Sequence, residues 1–200
     1  MYLSKVRLHW EQTKNPYEQH RALWHLFPSR TTENRSFLYR VEHQPKGLPA
    51  DLIMQSLQQP EPSEAVELLA TKPMNVGFHS GQQLRFRLRA NPIKTIKDGS
   101  INDNTPNIRS VRVPLLGEEQ QHTWLNRKLS EAALIEALTI QQELPLNFRK
   151  AREKRSGKIQ PVLFEGIMSV QNPTTLLQLI QAGIGPAKSF GCGMLSVAAV

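Results

Sequence analysis

Apolar and polar positions divide the first half of the chain into a run of short segments. Residues 2–10 set Tyr2, Val6 and Leu8 among polar neighbours, a pattern that suits a strand. Asn15-Pro16 follows, a strong N-cap residue and then the residue favoured at the first helical position. Glu18 stands at the third helical position and completes a capping box, which predicts a helix from Pro16 to Phe27 that stops before Pro28. Phe37-Leu38-Tyr39-Arg40-Val41-Glu42 alternates as a strand does, and Asp51 to Leu57 is a second apolar stretch. Ser63-Glu64-Ala65-Val66-Glu67-Leu68-Leu69 predicts a short capped helix, with a strand at Met74–His79. The order is β-α-β-β-α-β.

The second half repeats it. Leu84, Phe86 and Leu88 alternate with Arg85, Arg87 and Arg89, which predicts a half-buried strand bearing an arginine stripe. A polar loop containing Asp98-Gly99 and residues 102–106 interrupts, and residues 118–129 put Trp124, Leu125 and Leu129 at helical spacing. Residues 131–144 look helical locally, yet the repeated order requires a strand there. Val162–Met168 is a strand, Asn172-Pro173 caps a helix carrying Leu176, Leu177 and Ile180, and Gly183 ends it. Leu195–Val200 closes the unit as a strand. The expectation is an α+β chain of two tandem ferredoxin-like folds over residues 1–80 and 81–200, an architecture shared with RNA-recognition modules. Fold alone assigns no function.

Composition narrows the classes. With 39% hydrophobic and 21% charged residues, the 200-residue chain reads as an ordinary globular protein. No apolar run approaches the roughly 18 residues of a membrane span, and Met1-Tyr2-Leu3-Ser4-Lys5-Val6-Arg7 lacks a signal-peptide core. A single cysteine, Cys192, fits a reducing compartment, so the cytoplasm is the expected location. A net charge of +8 and a pI near 9.9 favour a polyanionic partner, nucleic acid being the commonest.

The strongest local signal is Gly183-Ile184-Gly185-Pro186-Ala187-Lys188-Ser189-Phe190-Gly191-Cys192-Gly193. It is not a dinucleotide fingerprint, because Lys188 takes the third glycine's place and the loop follows a helix instead of opening one. Nor is it a P-loop, since Ala187 replaces the glycine before the lysine. Ending a helix and starting a strand needs about two glycines; four around Lys188 and Ser189 would let a backbone lie against a phosphodiester chain.

This segment resembles the glycine signature of CRISPR repeat-processing endoribonucleases, and the wider sequence resembles the branch of type I-E Cascade complexes known as the CasE family. The resembling segments are Met1–Val6, Leu23–Pro28, Phe86–Thr95, Arg112–Leu115, Ser156–Gln160 and the glycine loop. The resemblance implies tandem ferredoxin-like folds and a CRISPR repeat RNA stem-loop as substrate. It implies attack of a ribose 2′-hydroxyl on the adjacent phosphorus, leaving a 2′,3′-cyclic phosphate and a 5′-hydroxyl. It also implies other Cascade subunits as partners, with His20 in the place of the family's catalytic histidine and Tyr17 in that of the nearby tyrosine.

Helical spacing agrees with the pair: Tyr17 and His20 share a face with Trp24 and Phe27, while His25 turns toward Glu18 and Arg21. A lone histidine on an apolar face is more often a hydrogen-bonded core residue; first-turn location, the tyrosine and the resemblance favour the catalytic reading. Histidine suits proton transfer at neutral pH. Tyr17 could orient the nucleophile or share the proton, and Lys158 is selected to stabilise phosphorane charge. No metal site, cofactor or membrane partner is expected, because no His/Cys/Asp/Glu grouping has ligand spacing.

The densest basic run is Arg149, Lys150, Arg152, Lys154, Arg155 and Lys158, opposed only by Glu153. Composition leaves a solvated loop and an RNA-binding arm equally open. Between two strands the run makes an arm suited to A-form RNA, read through shape and phosphates. Arg87, Arg89, Lys94, Arg109 and Arg112 are further RNA contacts by resemblance, with Gly183, Gly185, Lys188, Ser189, Gly191 and Gly193 of the loop. The competing reading is a tandem RNA-recognition protein that holds a hairpin without cutting it. At 6% aromatic residues the chain lacks the stacking strands typical of such modules.

Overall fold

The computed structural model describes residues 1–28, 36–101, 108–150 and 155–200; for residues 98–101, 108, 109, 150 and 155 it describes the backbone alone. The first sheet comprises β1 (Tyr2–Leu8), β2 (Phe37–His43), β3 (Ala50–Ser56) and β4 (Val66–Pro73). Their spatial order is β2-β3-β1-β4, with every neighbouring pair antiparallel. Between β1 and β2 come a single helical turn, α1 (Trp10–Thr13), and then α2 (Pro16–Leu23).

Asn15 is extended and its side-chain oxygen accepts the Tyr17 amide at 3.2 Å, with Pro16 at the first helical position. The Glu18 carboxylate, which the capping-box pattern would turn back to Asn15, takes the Arg21 guanidinium at 2.9 Å. Past Leu23 the chain tightens into a 3-10 turn, Trp24–Leu26, and leaves the helical region at Phe27, as the following Pro28 requires. Ala22, Leu23, Leu26 and Phe27 pack on Val6, Leu8, Phe37, Tyr39, Leu52 and Met54 to form the first core.

The helix expected at 63–69 and the strand expected at Met74–His79 do not form. The Ser63 hydroxyl accepts the Val66 amide at 3.2 Å, as a cap would, but from Val66 the chain extends as β4 along the whole of β1. Pairing at an otherwise open sheet edge outweighs a weak local helix preference. Residues 74–79 then carry no regular structure toward the second sheet.

That sheet comprises β5 (Gln83–Ala90), β8 (Ala133–Gln142), β11 (Val162–Val170) and β12 (Leu195–Ala199), ordered β12-β5-β11-β8 and antiparallel throughout. Both four-stranded sheets thus share the ferredoxin-like strand order, and the second carries both helices, α3 (Glu118–Leu129) and α4 (Pro173–Ala182). The ambiguous stretch 131–144 is a strand, β8. Two ribbons stand apart from the sheet: β6 (Ile93–Ile101) with β7 (Ile108–Pro114), and β9 (Leu146–Lys150) with β10 (Arg155–Ile159). Trp124, Leu125, Leu129, Leu176 and Ile180 pack on Leu84, Phe86, Leu88, Phe164 and Met168 to form the second core. Among the described residues no helix is long and apolar enough to cross a membrane.

Polar groups join the two sheets. Gln55 of β3 donates to the Ile180 carbonyl in α4 at 2.8 Å, and the buried Arg40 of β2 reaches Ser196 of β12 at 2.9 Å. Burial pulls the Arg40 guanidinium below its ordinary pKa against the opposing pull of Glu42, whose carboxylate it meets at 2.6 Å.

Gly166 in the middle of β11 tests the packing. A Cβ there would lie 2.0 Å from the Ala137 carbonyl oxygen of β8, an atom the ladder holds in place. Gly166→Ala should destabilise the fold by about 1–3 kcal/mol, the usual cost of overpacking. A urea titration checks this: the midpoint should fall at constant slope, and an unchanged midpoint would mean that β8 gives way freely.

Candidate functional site

Strand register gathers the chemistry at one end of the second sheet. Ala90 at the end of β5 pairs with Val162 at the start of β11, and Val162 pairs with Gln142 at the end of β8. Leu195 opens β12 opposite Leu88, after the Gly193 amide has bonded the Arg89 carbonyl at 2.7 Å. Both ribbons and the 183–194 loop therefore leave the sheet from the same end.

The loop is closed on itself. The Ile184 amide donates to the Gly193 carbonyl at 2.8 Å, and Lys188 Nζ donates to the Ala182 carbonyl at 2.6 Å, placing its charge at the negative end of α4. Gly183, Gly185, Gly191 and Gly193 all have positive φ, as does Ala187 at 63°. The glycines are needed by packing inside the protein. A Cβ on Gly183 would meet Leu38 at 2.8 Å, on Gly185 the Trp124 ring at 2.9 Å, and on Gly193 the Ile184 oxygen at 2.9 Å. Between them the turn 188–190 is held from below: the Tyr39 hydroxyl donates to the Ser189 carbonyl at 2.9 Å, and Arg89 Nη1 donates to the Phe190 carbonyl at 3.4 Å.

Helix α2 lies against both β9 and that turn. Asn15, its cap, also donates to the Arg149 carbonyl of β9 at 2.7 Å. His20 is partly buried, its ring centroid 5.9 Å from Trp24 and 5.5 Å from Phe37, and Phe27 stacks on Phe37 at 5.3 Å. Tyr17 is partly exposed one turn earlier. His9, His25, His43, His79 and His122 are exposed; His25 lies in a shallow hollow with Arg21, Trp24 and Pro28.

On the β9–β10 ribbon, Phe148 pairs with Gly157 and meets the Phe190 ring in a tilted contact, centroids 4.4 Å apart. Gly157 is needed because a Cβ would sit 2.4 Å from the Phe148 ring. Directly paired residues share a face, so Lys158 with Asn147, and Arg149 with Ser156, occupy the opposite face; Lys158 and Arg149 are exposed there. Arg152 and Lys154 lie outside the described residues, as do the side chains of Arg109, Lys150 and Arg155. Lys94 and Arg112 are exposed on the β6–β7 ribbon.

The arginine stripe of β5 is largely neutralised within the protein. Arg87 meets Glu42 and Glu165, each at 3.1 Å. Arg89, 8% exposed, holds Glu143 at 2.7 Å. Burial works against the Arg89 charge, but the hydrogen bond and negative charge of Glu143 oppose it, and the guanidinium stands above its ordinary pKa. Sequence reasoning missed Tyr39, Arg40, Glu42, Glu143 and Phe148. One signal existed for the first two: Phe37 to Arg40 alternate less cleanly than a half-exposed strand should, and all four are buried. Among the described residues no group of three or more His, Cys, Asp or Glu could hold a metal ion.

The sequence pattern of the family described as CRISPR associated protein matches residues 1–199. The chain belongs to the CRISPR associated protein family. It is 43% identical over 199 residues to the CRISPR system Cascade subunit CasE of Escherichia coli strain K12, covering 99% of each chain. The crystal structure of the CRISPR-associated protein Cas6e from the same strain matches with a TM-score of 0.87 at 40% identity, over 100% of both chains. A structure of the CRISPR endoribonuclease Cse3 bound to 19 nt RNA matches at a TM-score of 0.80 and 30% identity, over 99% of this chain and 100% of that one. In this member of the CRISPR associated protein family, then, α2, the glycine loop and a basic ribbon meet at one sheet end.

The loop's internal packing has a measurable consequence. Gly185→Ala combines a left-handed backbone, costing about 1–2 kcal/mol, with a collision against Trp124. Its thermal midpoint should fall by roughly 3–8 °C. An unchanged melting curve would show that this glycine serves an external contact instead.

Proposed function

We propose that this chain is an endoribonuclease that cuts CRISPR repeat RNA beside its stem-loop and remains on the product hairpin as a subunit of a type I-E Cascade complex. The observation that carries the reading is the docking of α2, with Tyr17 and His20, on both the glycine-loop turn and the basic ribbon. A stem held by the ribbon's cations would bring its adjacent phosphodiester to the helix that bears the histidine. The likeness to CasE and to RNA-bound Cse3 supports the same reaction class. A cytoplasmic location fits a chain whose one cysteine, Cys192, is a buried free thiol.

Cleavage needs a proton removed from the 2′-hydroxyl, a proton delivered to the departing 5′-oxygen, and a cation near the crowded phosphorane. The 2′-oxygen bonds to phosphorus as the bond from phosphorus to the 5′-oxygen breaks, giving the 2′,3′-cyclic phosphate and a 5′-hydroxyl. His20 carries the proton work, since imidazole exchanges protons near neutral pH. Tyr17, one turn away on the same face, orients the attacking hydroxyl or shares its proton, and Lys158 supplies positive charge. The nucleophile belongs to the substrate, so the reaction as written requires no metal-bound water.

His20→Ala should slow single-turnover cutting at saturating protein by roughly 10²–10⁴, with little change in binding of a 2′-deoxy substrate. Tyr17→Phe should cost less, and His25→Ala next to nothing. Cutting should persist in chelator. A fast His20→Ala variant beside a dead His25→Ala variant would reverse the assignment, and binding without cutting by the native chain would leave only a hairpin-holding protein.

The ribbon gives a separate test. Replacing Arg152, Lys154 and Arg155 together by alanine should weaken hairpin binding and flatten the dependence of log K on log salt, by up to about 0.7–0.9 for each phosphate that is no longer neutralised. An unchanged slope would make the run a solvated loop.

A further inference from the structure

The sequence places Arg89 among the RNA-binding residues, yet it lies beneath the glycine loop with little surface for a phosphate to reach. Its Nε and Nη2 are taken by Glu143 at 2.8 and 2.7 Å, its backbone carbonyl takes the Gly193 amide at 2.7 Å, and its Nη1 points to the Phe190 carbonyl at 3.4 Å. Tyr39, from the other sheet, holds the adjacent Ser189 carbonyl at 2.9 Å. Gly191 lies over both: a Cβ would meet the Tyr39 ring at 3.2 Å and Arg89 Nη1 at 3.4 Å. Two consecutive carbonyls of the turn that abuts α2 are thus fixed, one from each half of the protein.

We propose that Arg89, oriented by Glu143, and Tyr39 are positioning residues that set the 188–190 turn, and through it the α2 helix bearing His20, against the basic ribbon. The role rests on the endoribonuclease reading above. Neither residue touches the reacting atoms. The carbonyls they hold belong to Ser189 and Phe190, and the Phe190 ring in turn lies against the Phe148 ring of β9. A loosened turn therefore shifts the ribbon and the helix together.

The loop contains its own reporter. Cys192, fully buried next to the turn, has its thiol pushed up to about 12 by burial, so in the native protein it is both hidden and protonated. Tyr39→Phe removes one hydroxyl and keeps the packed ring. Arg89→Lys keeps the charge but loses the forked geometry. Each should slow single-turnover cutting at saturating protein about three- to tenfold, the worth of one missing hydrogen bond. The affinity for the hairpin should stay native. Labelling of Cys192 by an aromatic disulfide reagent under native conditions should speed up by a similar factor, while the melting temperature of Tyr39→Phe stays near native. Arg89→Met breaks a buried pair and can fail to fold, so Tyr39→Phe and Arg89→Lys carry the test.

Native cutting rates with native thiol protection in both variants would overturn the positioning role. Weaker hairpin binding by Arg89→Lys, with native thiol protection, would instead make Arg89 a phosphate ligand. If the native chain cuts no repeat RNA, the endoribonuclease reading fails, and faster thiol labelling in Tyr39→Phe still reports whether the clamp holds the turn.

Discussion

The register of β11 between β5 and β8 is the constraint from which the site follows. Because Ala90, Val162 and Gln142 stand side by side, both ribbons start from the same end of the second sheet, where the glycine loop also enters β12, whatever their own sequences. A one-residue slip would send every core side chain of β11 to the wrong face. Met168, Phe164 and Val162 are fully buried, so the hydrophobic effect that holds the core also fixes where two basic ribbons and the glycine loop emerge.

The glycine loop shows two demands met by one device. Loop glycines are usually explained by what they allow a ligand to do. Here Gly183 is packed under Leu38 of the other sheet, Gly185 under Trp124 of α3, and Gly191 beside Tyr39. The tight backbone that would suit a phosphodiester chain on its outer side is enforced from its inner side by the core. The positive φ values are therefore a fold requirement first, and any contact with RNA uses a surface the fold has already made.

Local signals in the sequence were reliable where local physics decides. Asn15-Pro16 and Asn172-Pro173 start helices with their caps made, and Gly183 ends α4 with positive φ. The signal failed at 63–69, where the cap at Ser63 formed but pairing with β1 claimed the following residues. At 131–144 the local pattern pointed to helix, and only the repeated element order gave strand. The joining residues were illegible for a different reason. Tyr39, Arg40 and Gln55 look like ordinary strand positions until the second sheet is in place to receive them. The same holds for the arginine stripe: alternation placed Arg87 and Arg89 on one face, but the carboxylates that neutralise them come from Glu42, Glu143 and Glu165, far away in sequence.

Separating binding from chemistry has a consequence for what happens after the cut. In the proposed reaction, affinity comes from cations on the ribbons meeting stem phosphates, and rate comes from an imidazole resting against Trp24 and Phe37. Cleavage changes one phosphodiester beside the stem and leaves the stem's own charges as they were. Interactions that are equal before and after the reaction favour neither substrate nor product, so they lower no barrier and release nothing. A protein built this way would turn over slowly because it has no reason to let its hairpin go. That behaviour suits a subunit that delivers its product to a larger complex, and it follows from where the charges sit.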